Sequence, residues 1–240
     1  MGAATEGLPK CLTELAGMSL LEWQLAALRE AGVESVSAIG GYRASQLAPF
    51  VDIAAVNERW QESNMVSSLL CAAELLRGNR CLVCYSDIVY HYSIIENLLK
   101  AKADIVITGD ADWLSLWAER FEDPLSDAET FRTVNGRLTK IGGRAATVEE
   151  IEAQYMGILS FTPAGWRNVE ACLSGLEAHE IAHLDMTALL ARMLNDNIEI
   201  EVVEVRGKWC EVDSRLDAEI FECCLERHAL DNTKWSHDWR

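Results

Sequence analysis

The chain has 240 residues, half of them apolar, enough for one sizeable α/β domain. Its formal net charge of −17 excludes the basic footprint that phosphate-backbone recognition needs, so nucleic acid is not an expected partner. No run of about 18 apolar residues marks a membrane span and no basic-then-apolar signal pattern opens the chain, so the sequence reads as a cytoplasmic protein with no membrane partner.

Met1 to Leu8 is small and turn-forming and leads into Pro9-Lys10. Ser19-Leu20-Leu21-Glu22 matches a capping box and opens a helix with Leu21, Leu25 and Leu28 on one face, closed by Gly32. Val33 to Ile39 reads as a strand, Gly40-Gly41-Tyr42 as the turn out of it, and Asp52 to Val56 as another short strand. Ser63 to Leu76 has helical spacing at Met65, Leu69, Ala72 and Leu76 and stops at Gly78. Arg80 to Tyr85 comes next. Its residues Cys81 to Tyr85 run without polar alternation, the pattern of a strand covered on both faces, and this strand is read as central. A helix over 92–102 and a strand over 104–108 follow. Strands alternating with helices at these spacings predict an α/β fold with a doubly wound, mostly parallel, Rossmann-like sheet.

From Gly109 the rhythm breaks. Asp110 to Asp127 is acidic and aromatic, and Asn135-Gly136 between two β-favouring runs predicts a small β-hairpin insertion. Gln154 to Phe161 reads as a strand, 164–176 and 185–194 as helices, and Glu199 to Val205 alternates as an edge-type strand. Arg215 to about His228 is a final helix; residues 231–240, with two tryptophans, receive no element. The whole forms a single domain over 1–240 with an insertion at about 110–150. Eight cysteines lie mostly in apolar runs and suit reduced core thiols. Cys81 and Cys84 would point to opposite faces of a strand, the wrong geometry for a redox pair.

Asp87 stands just past the C-terminal end of the Arg80–Tyr85 strand, where open α/β sheets place their ligands. It could equally cap the helix that begins near Tyr92. Glu211 and Asp213, one residue apart in an extended segment, share a face. With Asp87 they offer three hard oxygen ligands, a set suited to Mg²⁺ held by carboxylates and substrate phosphates. The other reading of Glu211-Val212-Asp213 is a solvated edge whose Asp213 or Ser214 caps the last helix. Lys10, at the rim of a glycine-containing loop, can reach a phosphate as a point charge.

Several collinear motifs carry a resemblance: Gly7-Leu8-Pro9-Lys10-Cys11-Leu12, Ala16-Gly17-Met18-Ser19-Leu20-Leu21-Glu22, Gly41-Tyr42-Arg43, Asn64 with Ser67-Ser68-Leu69, Ser86-Asp87-Ile88-Val89-Tyr90 and Trp209-Cys210-Glu211-Val212-Asp213. Together they resemble the nucleotidyltransferases that make NDP-sugars and CDP-alcohols. Arg120, Asp123-Pro124-Leu125-Ser126 and Glu129 before a hairpin resemble the phosphocholine cytidylyltransferase-like branch. The resemblance implies transfer of CMP from CTP to a small phosphorylated or phosphonylated alcohol or amine, with release of pyrophosphate. It gives Mg²⁺ to Asp87, Asp213 and Glu211, and the charge of the phosphates to Lys10. Gly7 and Ser86 fall in its nucleotide-binding motifs, Tyr42 would edge the base pocket, and Asn64 and Ser67 would border base and ribose or simply cap their helix. Trp113, Trp117 and Tyr155, near Asp110 and Asp112, would build a cage for a cationic amine, or the tryptophans would merely cover the hairpin. Arg120 and Lys140 would hold the acceptor phosphate or balance local acids. Phosphocholine, 2-aminoethylphosphonate and an amide-type phosphate all stay open as acceptors; a sugar 1-phosphate is the alternative.

One departure from the family stands at the start. Its members begin with a strand and a glycine-rich, arginine-bearing loop, whereas this sequence starts at Met1-Gly2-Ala3-Ala4, about fifteen residues short of that pattern at usual element lengths. Either the start is placed too late or the chain is truncated. The expectation is that Val33–Ile39 and Arg80–Tyr85 each miss a neighbour, and an inactive nucleotide-binding or regulatory domain is a second alternative.

Overall fold

The computed structural model describes residues 7–240, and the expectation for Met1 to Ala4 lies outside the described residues. Pro9 leads into a single turn at Lys10–Leu12 and a ribbon of β1 (Glu14–Leu15) and β2 (Met18–Ser19). Ser19 then caps α1 (Leu20–Glu30): the Glu22 amide donates to Ser19 Oγ at 3.3 Å and the Ser19 amide to Glu22 Oε2 at 2.9 Å, the reciprocal box read from the sequence. β3 (Ser37–Gly40) pairs in parallel with β4 (Asp52–Val56).

The helix expected over 63–76 is two helices, α2 (Met65–Cys71) and α3 (Ala73–Gly78). They part at Ala72, whose amide turns back to the Leu69 carbonyl at 3.0 Å and closes the first helix with a tighter turn. β5 (Cys81–Cys84) and β6 (Ile88–Tyr90) lead to α4 (Tyr92–Lys100), which is capped by His91 and not by Asp87. Next are β7 (Ile105–Asp110), α5 (Trp113–Arg120), and the hairpin of β8 (Glu129–Val134) and β9 (Arg137–Arg144). Asn135 and Gly136 turn that hairpin with φ of 53° and 74°, the left-handed pair a two-residue turn of this type requires. β10 (Gln154–Phe161), α6 (Pro163–Leu173), α7 (Ala178–His183), α8 (Met186–Asn195), β11 (Glu201–Val205), β12 (Trp209–Glu211) and α9 (Arg215–Leu230) complete the described elements.

The main sheet has the order β5-β10-β7-β11-β9-β8. β7 and β11 are parallel, and β10 runs antiparallel to both β5 and β7, so β5, β7 and β11 point the same way. The inserted β10 and the hairpin make this α/β sheet mixed. β5, expected at the centre, is an edge of this sheet among the described residues, paired with β10 alone. Its apolar run reports something else: Leu82 and Cys84 pack into the core on one face, Cys81 and Val83 into the core on the other. Two covered faces are what the pattern encodes, not the count of lateral neighbours. β3 likewise has one partner, β4, among the described residues.

β11, expected at an edge, lies inside, between β7 and β9. Its polar residues stand near the strand ends, where Glu201 accepts from the Ala103 amide and Glu204 from Arg206. Among the described residues no helix is long and apolar enough to cross a membrane.

Candidate active site

The loop between β5 and β6 carries Asp87, and a buried glutamine shapes it. Gln24, on the core-facing side of α1, donates through Nε2 to the carbonyls of Tyr85 and Ile88 at 3.0 and 2.9 Å. β6 pairs antiparallel with β12, setting Ile88 opposite Glu211, and the Val212 amide donates to the Asp87 carbonyl at 2.7 Å. This ribbon therefore holds Asp87 beside the Glu211–Asp213 segment. Lys10, in the turn after Pro9, closes the group: its Nζ lies 2.8 Å from Asp87 Oδ2 and 2.7 Å from Asp213 Oδ1. Burial pulls the Lys10 ammonium down, but the charges and hydrogen bonds of Asp87 and Asp213 outweigh it and hold its pKa above the ordinary value.

Arg120 lies behind these carboxylates with 1% of its side chain exposed. Nη1 donates to Glu211 at 3.2 Å, Nη2 to Asp213 at 2.6 Å and Nε to Asp217 at 3.1 Å. Asp217 also accepts from the amides of Asp213 and Ser214 at 3.0 and 2.8 Å. Asp213 is thus gripped on both oxygens, by Lys10 and by Arg120. Burial, and then the charge of Asp213, raise the Glu211 carboxyl against the pull of Arg120. In Asp213 the burial effect is smaller than its bonds to Lys10 and Arg120, and the net pKa is lowered.

Residues 1–155 match the MobA-like NTP transferase domain. The chain belongs to this family. Over 232 residues it is 29% identical to the CTP:phosphoglutamine cytidylyltransferase of Campylobacter jejuni subsp. jejuni serotype O:2, spanning 90% of this chain and 92% of that one. Its fold is similar to that of the inositol-1-phosphate CTP transferase from T. maritima, with a TM-score of 0.72 at 16% identity over 92% of this chain and 89% of that chain. It is also similar to that of the CTP:phosphocholine cytidylyltransferase from Streptococcus pneumoniae, with a TM-score of 0.67 at 18% identity over 94% and 93%.

In this NTP transferase domain one carboxylate oxygen of the site is left open. Asp87 Oδ1 is buried and meets no hydrogen-bond donor, while Oδ2 takes Lys10. Among the described residues no three acidic, histidine or cysteine side chains form a ready metal cluster. Lys10 bridges Asp87 and Asp213, and Arg120 holds Glu211, so the expected triad is not assembled. The residues fit a cation held by Asp87 and Asp213 and completed by substrate oxygens, the usual habit of Mg²⁺.

The expected acceptor cage does not form from the tryptophans. Trp113 and Trp117 are buried, with their indole N–H groups donating to the Ile151 carbonyl and to Asp127. They cover the core under the hairpin because a large apolar ring gains most from full burial. Asp110 is fully buried against Trp209 and His237, and Asp112 faces Arg206. Arg120 cannot hold an acceptor phosphate while three carboxylates saturate it. Lys140 is exposed on β9 opposite Arg132, with no contact to the Lys10–Asp87 centre. Tyr155 does approach: its ring sits edge-on to Tyr85 at 5.8 Å, and its hydroxyl is buried without a partner.

The expected nucleotide-side residues do structural work here. The Gly7 carbonyl accepts from Arg43 Nη1 at 2.8 Å, and Tyr42 packs on Trp60 at 5.2 Å. Asn64 caps α2 through the Met65 amide at 2.8 Å, and Ser67 Oγ donates to the Ile181 carbonyl, tying α2 to α7. Ser86 is exposed beside Asp87. Tyr85, Gln24, Asp185 and Asp217 enter the site unannounced. The Tyr85 ring lies against Gly157, whose φ of 73° and lack of a side chain leave room for it. Burial raises the Tyr85 phenol, and the charges of Asp87, Asp185 and Glu211 push the same way, which places this ring among the acidic groups. Gln24 had one signal, a polar residue within the apolar stripe of α1, and Asp217 had another, the third place after Ser214.

Proposed function

We propose that this nucleotidyltransferase transfers CMP from CTP to a small acceptor carrying a phosphate or phosphonate, with release of pyrophosphate. The observation that carries the reading is Lys10 set between Asp87 and Asp213 in a chain 29% identical, over 90% of its length, to a CTP:phosphoglutamine cytidylyltransferase. In the reaction an acceptor oxygen forms a bond to the α-phosphorus of CTP. The bond from that phosphorus to the bridging oxygen breaks, and its electron pair leaves with pyrophosphate. Catalysis of this kind is positioning and charge neutralisation.

Lys10 is the compact cation that turns from its carboxylates to the phosphates. Asp87 and Asp213 would hold Mg²⁺, which would supply Lewis-acid neutralisation of the phosphate oxygens. Arg120 stays with its three carboxylates and keeps Asp213 aimed. On the acceptor side, Tyr85 and Tyr155 offer ring faces, and Glu129 and Asp185 offer negative charge, an environment for an acceptor that bears an amine or amide. The reading is of a cytoplasmic enzyme working on a soluble nucleotide, and the net charge of −17 supports it by disfavouring a nucleic-acid partner.

The test is pyrophosphate release from CTP, ATP, GTP and UTP, with Mg²⁺ and a panel of phosphoglutamine, phosphocholine, 2-aminoethylphosphonate and glucose 1-phosphate. Release that needs CTP and a nitrogen-bearing acceptor supports the reading. Release with glucose 1-phosphate alone moves the enzyme to sugar nucleotide synthesis, and no release with any pair overturns the proposal.

A further inference from the structure

The last ten residues, given no element by the sequence, form a strap over the turn that feeds β12. Trp235, His237 and Trp239 alternate inward, all buried. Trp235 packs on Phe221 at 5.7 Å and Trp239 edge-on to Trp23 at 6.1 Å, which anchors the strap to α9 and α1. Between them His237, with no exposed surface, sets Nε2 3.0 Å from Asp110 Oδ2. Asp110, also without exposed surface, accepts from Trp209 Nε1 at 2.8 Å through the same oxygen. Its other oxygen accepts from the amides of Gly207 and Asp112 at 2.9 and 3.0 Å. A carboxylate buried this deeply is tolerable only with such a full set of partners.

The strap also grips the turn directly. The Lys208 amide donates to the Ser236 carbonyl at 2.7 Å, and Cys210 Sγ lies 3.5 Å from the His237 carbonyl. Gly207 passes so close to the Ser236 carbonyl that any side chain there would collide with it. Gly207 and Lys208 are both left-handed, with φ of 62° and 60°, and for Lys208 that conformation persists only where its surroundings over-determine it. The turn in question is one end of the β6–β12 ribbon; Asp87 and the Glu211–Asp213 segment are at the other end. Two strands of three residues do not hold their shape alone in water.

We propose that His237 is a positioning residue for the nucleotidyl transfer: through Asp110 and the Gly207–Lys208 turn it fixes the register and direction of β12, and hence where Glu211 and Asp213 face Asp87. This rests on the cytidylyltransferase reading for its kinetic consequence, while its structural consequence stands apart from it. A glutamine at 237 reaches about as far as the imidazole Nε2 and keeps a donor on Asp110; an asparagine of similar polarity falls short.

The experiment compares the parent, His237→Gln and His237→Asn, each first shown folded by its thermal transition. For H237N the kcat for pyrophosphate release should fall about 10- to 100-fold, as a misplacement of around an ångström does. The KM for CTP should change less than about three-fold, because the loss falls on groups engaged in the transition state. H237Q should recover kcat. Hydrogen exchange of the amides from Trp209 to Asp213 should accelerate in H237N while those of β10 keep the parent rate. A folded H237N with parental kcat and parental exchange at Trp209–Asp213 overturns the inference, as does a loss in H237Q equal to that in H237N. Should H237N fail to fold, Trp239→Leu, which loosens the strap away from Asp110, carries the same two readouts. A parent that releases no pyrophosphate would sink the cytidylyltransferase reading alone, since the exchange rates still decide whether the strap orders β12.

Discussion

Lys10 and Asp87, 77 residues apart in the sequence, meet in an ion pair of 2.8 Å. The same ammonium bonds Asp213, so one side chain joins the N-terminal turn to the residues just before β6 and just after β12. The pair is partly open to water, and partly exposed pairs add little to stability. Its weight should therefore fall on activity. Lys10→Met is expected to lower kcat about 10²- to 10³-fold, the cost of losing one preorganised charge at a phosphoryl centre, with a thermal midpoint close to the parent. Lys10→Arg should not restore the rate, since a planar fork cannot stand where a compact ammonium does. Steady-state kinetics beside a melting curve decide it, and a Lys10→Met enzyme within a few-fold of the parent would refute the role.

Asp87 has one oxygen on Lys10 and one buried and unpartnered. An orphaned buried acceptor destabilises the free protein and would be satisfied by a bound cation. Asp87→Ala should therefore abolish turnover while leaving the fold intact, because the residue is a loop carboxylate and not a core side chain. Thermal melts with and without Mg²⁺ check the metal assignment separately from turnover. The parent should gain stability from Mg²⁺ with CTP, and Asp87→Ala should lose that gain.

Arg120 makes a different kind of prediction. Its guanidinium is buried and bonds Glu211, Asp213 and Asp217. Removing it leaves Glu211 and Asp217 without a counter-charge and Asp213 with Lys10 alone, a change that costs about 3–5 kcal/mol in comparable buried pairs. Arg120→Ala should lose that much in denaturant unfolding, and Arg120→Lys should recover only part, because a single ammonium cannot span three carboxylates. An Arg120→Ala protein as stable as the parent would show that the clamp is incidental.

How far the sequence reveals this site depends on which residues act locally. The capping box at Ser19 and Glu22 and the hairpin at Asn135-Gly136 are decided by neighbours in the chain, and both form as read. Asp87, Lys10 and Asp213 are legible as charged residues at strand and loop ends. The roles of Arg120, Trp113 and Trp117 are not, because residue type does not say whether a side chain faces the ligand or the core. Arg120 is turned inward by Asp217, a residue 97 positions away, and no local pattern holds that information. The strap over 231–240 is missed for the same reason: its inward alternation of Trp235, His237 and Trp239 has no period longer than five residues, and its partner Asp110 lies 127 positions before His237.

Glu129 gives the pH test. Burial, then the charges of Asp185 and Asp127, hold its carboxyl above the ordinary value of 4.5, with a Thr187 hydrogen bond opposing them. The folded protein then keeps a proton that the unfolded chain has already lost. Across the window from 4.5 up to the folded value the native state binds more protons, so stability falls as pH rises. The contribution is complete below the unfolded value and gone above the folded one. Glu129→Gln, which cannot ionise, should lack this loss: its thermal midpoint should match the parent at about pH 4 and exceed it at about pH 8. Because the same carboxylate is placed on the acceptor side, Glu129→Gln should also raise the KM for a cationic acceptor while sparing the KM for CTP. A variant whose stability tracks the parent at every pH would place Glu129 in ordinary solvent contact, and an unchanged acceptor KM would remove it from the acceptor wall.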